Sequence, residues 1–107
     1  MKLPVESYEK LYNSFLLDEY PIIERIQVKP ASVWKKIGDL GIGAQIIIKV
    51  YLKKNSNIKY YICTSFGREL SHRINELNGY LGPNISRDIK IYHDGKIICT
   101  DDDFYSR

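Results

Sequence analysis

Nowhere in this chain do apolar residues run unbroken for more than a few positions; Ile46 to Ile48 is typical. A bilayer-spanning helix needs about 20 such residues in succession, so no segment reads as one. The opening decapeptide MKLPVESYEK carries a basic residue but neither an apolar core nor a small-residue cleavage site, so no secretion signal is read and the cytoplasm is the expected location. Cysteine is scarce. Cys63 and Cys99 are far apart and show neither CxxC nor histidine-rich spacing, which argues against a zinc site and leaves both expected as free thiols in strands, with a disulfide between them the lesser alternative.

Other absences narrow the chemistry further. Asp101, Asp102 and Asp103 are consecutive, and consecutive side chains on an extended chain point apart, so they do not by themselves build an oxygen cage. No metal and no cofactor is expected. The stretch LGIGA at 40–44 precedes a candidate strand, whereas a dinucleotide fingerprint follows a strand and opens a helix. Its glycines read as a helix stop and turn. There is no low-complexity stretch and no identity-level repeat.

What remains is a chain of 107 residues that is 44% hydrophobic with nine tyrosines, too apolar for a disordered segment and the right size for one core. It reads as a single domain, 1–107, with 101–107 either a frayed acidic tail or a segment folded over the basic part. The net charge is +3, and its placement is uneven. Residues 1–43 hold six basic and six acidic groups, whereas residues 44–100 hold nine basic groups against four acidic ones.

Val5, Tyr8, Leu11, Tyr12, Phe15 and Leu16 recur at helical spacing and predict an amphipathic helix ended by Pro21. Residues 22–28, IIERIQV, suit a strand or a continuation of that helix. Val33, Trp34, Ile37 and Leu40, after Pro30, suggest a second short helix closed by Gly41 or Gly43. The alternation in KVYLKKNSNIKYYIC then predicts a hairpin of strands 44–54 and 58–64 that sets Tyr51 opposite Tyr61 and Lys53 opposite Lys59. A helix over 66–81 follows, with Ser65 as N-cap and Phe66, Leu70, Ile74, Leu77 and Leu81 inward. GPNIS at 82–86 is a turn. In IKIYHDGKIICT, Asp94-Gly95 predicts a second hairpin pairing Tyr92 with Ile97, Lys90 with Cys99 and Ile91 with Ile98. The expected fold is α+β: one domain with a mainly antiparallel sheet of four or five strands, made of two hairpins, and two or three helices on one face.

No motif names a reaction. The candidate site is a basic, tyrosine-bearing sheet face of Lys49, Tyr51, Lys53, Lys59, Tyr61, Lys90 and Tyr92, where cations would hold phosphates and rings would stack on bases. That pattern suits a small protein binding single-stranded RNA or DNA. The same composition also suits a merely solvated sheet face. A second function compatible with it is a protein–protein interaction module, such as a toxin-neutralising or phage-type inhibitor, with tyrosines as interface anchors. A third is a small metal-independent ribonuclease using His72 or His93 with Arg68 or Arg73. Expected partners are thus nucleic acid or one specific protein, with no membrane, and the edge strands of a small open sheet offer a route to a homodimer.

Overall fold

The computed structural model describes residues 5–30, 46–56, 58–80 and 87–104. In chain order these form helix α1 (Val5–Glu19), strands β1 (Ile23–Pro30) and β2 (Ile46–Leu52), helix α2 (Tyr60–Asn78), strands β3 (Arg87–His93) and β4 (Lys96–Thr100), and a short helix α3 (Asp101–Phe104). The sheet runs in the order β1-β2-β3-β4. Its outer pairs are antiparallel, but β2 and β3 are parallel. The fold is therefore α+β with a mixed sheet, rather than an antiparallel one throughout. The expected helix with Val33, Trp34, Ile37 and Leu40, the glycines of LGIGA, Leu81 and the GPNIS turn lie outside the described residues.

The predicted hairpin of 44–54 with 58–64 is not formed. β2 ends at Leu52, and Tyr60 to Thr64 are the opening turns of α2. Tyrosine, isoleucine and threonine favour strands, which is why this run reads as one. The competing signal is longer: Cys63, Gly67, Leu70, Ser71, Ile74, Leu77 and Asn78 are all buried, a continuous helical stripe that reaches back through the first turn. Lys59, not Ser65, is the N-cap residue. Once β2 pairs in parallel with β3, the connection between them must be a long crossover, and α2 is that crossover.

The segment 22–28 resolves as a strand. β1 pairs with β2 in a register that slips once, between Ile23 and Arg25, leaving Glu24 without a partner across the ladder. The outer edge of β1 is closed by α1. Asn13 Nδ2 donates to the Ile26 carbonyl at 2.8 Å while its Oδ1 accepts from Ile26 N at 3.0 Å, and Glu9 Oε1 accepts from Val28 N at 2.8 Å. These side chains satisfy backbone groups that would otherwise template a further strand.

Asp94 and Gly95 both take positive φ, 54° and 79°, in the turn joining β3 to β4. Tyr92 pairs with Ile97, but a register shift then sets Ile91 opposite Cys99 and Lys90 opposite Thr100, correcting the pairs expected from an unbroken ladder. The cysteines are not free: Cys63 and Cys99 form a disulfide joining the first turn of α2 to β4, with both side chains buried.

The core lies between the helices and one face of the sheet. Tyr8, Tyr12 and Leu16 of α1 meet Ile26, Val28, Ile48, Val50, Ile89 and Ile91 from the strands and Leu70, Ile74 and Leu77 from α2. The Tyr12 hydroxyl donates to Asn78 Oδ1, and burial raises its pKa. At the helix ends, Arg73 Nε and Nη2 hold Glu19 at 2.7 and 2.6 Å, and this pairing lowers the glutamate pKa.

The acidic segment is folded in. Asp103 Oδ2 accepts from Thr100 N at 2.9 Å, and Asp101 Oδ2 accepts from Ile89 N at 3.2 Å. Burial pushes the Asp101 carboxyl up to about 6, against the opposing pull of Arg87 and the Ile89 N–H. Its folded pKa lies above its unfolded value, so the folded state holds the extra proton and stability from this group falls as pH rises from about 4 to about 6. Asp101→Asn keeps an acceptor for Ile89 N and removes the charge. Allowing for solvent screening at a half-buried site, the variant is expected to be about 1 kcal/mol more stable at pH 7, with the difference vanishing near pH 4. Urea midpoints of the two proteins at several pH values between 4 and 7 measure this directly; a difference independent of pH would rule out the titration.

Candidate nucleic-acid interface

The sheet face opposite the helices is built by simple alternation. Ile46, Ile48, Val50 and Leu52 of β2 point into the core, so Ile47, Lys49 and Tyr51 point out; in β3, buried Ile89 and Ile91 leave Asp88, Lys90 and Tyr92 outward. Strand register then sets these residues in rows. Arg25, Tyr51, Tyr92 and Ile97 form one row across all four strands, and Gln27, Lys49, Lys90 and Thr100 form the next. None of the described helices covers this face.

The first row is a stack. The Tyr51 and Tyr92 rings lie 5.0 Å apart between centroids at an interplanar angle of 22°. From the β1 side, the Arg25 guanidinium carbon sits 3.9 Å from the Tyr51 ring centroid. Tyr51 is thus held between a cation and a second ring, and its hydroxyl donates to Gln27 Oε1 at 3.3 Å. Tyr92 ends the column. Lys49 Nζ lies 5.8 Å from its ring centroid, and the next residue along the row is Ile97, 50% exposed. Partial burial, followed by the neighbouring Tyr51, raises the Tyr92 pKa, so its hydroxyl stays protonated at neutral pH.

Four of the seven residues expected at the site, Lys49, Tyr51, Lys90 and Tyr92, come together here through the parallel pairing of β2 with β3. Lys53, Lys59 and Tyr61 do not. Lys53 follows the end of β2, where its N–H donates to the Ile22 carbonyl at 2.9 Å. Lys59 caps α2, and Tyr61 stands exposed on the first turn of that helix. Their expected positions depended on the hairpin that α2 replaces. Arg25 and Gln27 were missing from the expected site because IIERIQV had no assigned partner. The available signal was its alternation of Ile26 and Val28 with Arg25 and Gln27.

Beside the column, where β2 and β3 end, is a cavity of about 160 Å³ walled by Tyr51, Tyr92, Glu24, Lys54 and the Asp94-Gly95 turn. His93 Nε2 lies 3.2 Å from the Lys54 carbonyl and donates to it, tying the chain after β2 to the end of β3. His72 is exposed on α2. Among the described residues no hydrogen bond joins the two histidines or links either of them to an arginine. No group of histidine, cysteine or carboxylate side chains among the described residues has the arrangement of a metal centre, and none of the described helices is long and apolar enough to cross a membrane. No protein-family model, curated protein or solved structure matches the chain.

Proposed function

We propose that the open sheet face binds single-stranded nucleic acid. The observation that carries this reading is the Arg25–Tyr51–Tyr92 column with Lys49 and Lys90 in the adjoining row. A base stacking on the far side of Tyr92 would extend a column already ordered by the protein, so little side-chain entropy is lost on binding. The lysines beside it would contact the flanking phosphates, and Arg25 would act chiefly by fixing Tyr51.

Tyr92→Ala is expected to weaken binding of a fluorescein-labelled single-stranded RNA or DNA by about tenfold, the range of one lost base stack. Fluorescence anisotropy titration at low salt measures it. Absence of binding by the unmodified protein at low salt would end the reading.

A second reading, a module that docks on one specific protein, draws on a different surface. Tyr60, Tyr61 and Ile62 are all exposed on the first turn of α2, and exposed aromatics of this kind serve as interface anchors. A salt-tolerant complex that Tyr61→Ala abolishes would favour it over the sheet face.

A further inference from the structure

We infer that the cavity beside the tyrosine column, where β2 and β3 end, is a base-reading pocket selective for guanine. This rests on the proposal that the sheet face carries single-stranded nucleic acid, and it names what that strand must contain.

Glu24 stands where β1 is irregular. The register slip in β1 falls at this residue, so the strand alternation breaks there, and Glu24 and Arg25 are both exposed at successive positions. A bulge commonly re-aims a side chain in this way. The result is that Arg25 joins the tyrosine column while the neighbouring Glu24 forms a wall of the cavity. Asp94 also lines the cavity, from a turn whose two central residues both have positive φ, a geometry that tightly constrains the backbone. The cavity thus joins two aromatic walls to two carboxylates, with one lysine, Lys54, at its edge.

Its size, about 160 Å³, suits a single planar base without its sugar. Its chemistry selects among bases. A carboxylate accepts hydrogen bonds and offers none, and it bonds best when two adjacent donors approach in parallel. The Watson–Crick edge of guanine presents two, N1–H and the N2 amino group. Adenine and cytosine each present one amino group beside an acceptor, and uracil presents one N–H between two carbonyls that a carboxylate repels. Glu24 facing that guanine edge, with Asp94 also lining the cavity, explains why acidic groups border an otherwise basic face. Lys54 is then placed for the phosphate of the same nucleotide.

The test is an anisotropy titration of labelled octamers, all uridine or with one central guanine, adenine or cytosine, in RNA and DNA versions. The guanine octamer is expected to bind about tenfold more tightly than the other three. Glu24→Gln is expected to bring the ratio of guanine to all-uridine affinity close to one, because it exchanges an acceptor pair for a mixed amide that no longer repels the uracil carbonyls and leaves the column in place. Asp94→Asn, which asparagine's tolerance of positive φ allows, is expected to reduce the preference partly. If all octamers bind alike, the platform stands and the guanine pocket is overturned. A guanine preference unchanged in both variants overturns it equally, by placing the discrimination elsewhere. If none binds, the platform and the pocket fall together.

Discussion

Phe104→Ala is expected to destabilise the fold by about 3 to 5 kcal/mol, the cost of emptying a fully packed aromatic site. Phe104 belongs to the four-residue α3, yet its side chain is fully buried. The ring lies against Gly67 of α2, in space that a Cβ at that position would occupy. The Arg68 guanidinium donates to the Phe104 carbonyl at 2.7 Å, and the Asp103 carboxylate, which also accepts from the Tyr60 hydroxyl at 2.9 Å, caps Thr100 N. A ring seated on a helix backbone therefore anchors the acidic segment. Gly67→Ala should expel that ring and cost about 2 kcal/mol or more, despite alanine's advantage of about 1 kcal/mol in a helix. In the double variant the new methyl enters the vacated space, so the two losses should combine to clearly less than their sum. Urea unfolding of the three variants supplies the cycle, and strictly additive losses would contradict the contact.

Removing the disulfide is the second large effect. Cys63 and Cys99 are 36 residues apart in sequence with Cα atoms 6.6 Å apart, and both are buried between α2 and β4. Closing a loop of that length restricts the unfolded chain by about 4 kcal/mol on the chain-entropy account. The double variant Cys63→Ala/Cys99→Ala, and the unmodified protein in reductant, are each expected to show a much lower urea midpoint than the oxidised protein. Unchanged midpoints in reductant, together with two titratable thiols in the unreduced protein, would show that the bond is absent. Disulfides persist in oxidising compartments and are rare in the cytosol, so this bond argues against the cytoplasmic expectation drawn from the N-terminal residues.

Much of the local structure is written in the sequence. The stripe of Tyr8, Tyr12 and Leu16 is the buried side of α1, Asp94-Gly95 is the turn between β3 and β4, and the alternation around Lys49 and Lys90 correctly divides the two central strands into inner and outer residues. Partner choice is less legible. Nothing local to IKVYL or IKIYH says that these strands lie side by side and in parallel, because that pairing depends on where α2 carries the chain. The error over Tyr60 to Thr64 arose from strand-favouring side chains outweighing the helical spacing of Cys63, Gly67 and Leu70, a spacing obscured by a glycine in mid-helix. Gly67 is there because Phe104 needs the space, a constraint arising from a residue 37 positions away (104 − 67). The disulfide stays the lesser alternative in the sequence for the same reason: with Cys63 placed in a strand rather than a helix turn, no geometry brings it to Cys99.

Location on the surface, rather than total charge, is the central claim, and one comparison isolates it. Lys49→Ala/Lys90→Ala and Lys53→Ala/Lys59→Ala each remove two positive charges, the first pair from the row beside the tyrosine column and the second from outside it. Anisotropy titrations of a labelled single-stranded oligonucleotide across a series of salt concentrations give the affinity and the salt slope of each. The Lys49/Lys90 variant is expected to lose affinity, its slope shrinking by roughly 0.7 for each phosphate contact removed, while the Lys53/Lys59 variant stays close to the unmodified protein. Equal losses in both variants would mean that net charge alone drives association, and would contradict a binding face on the open sheet.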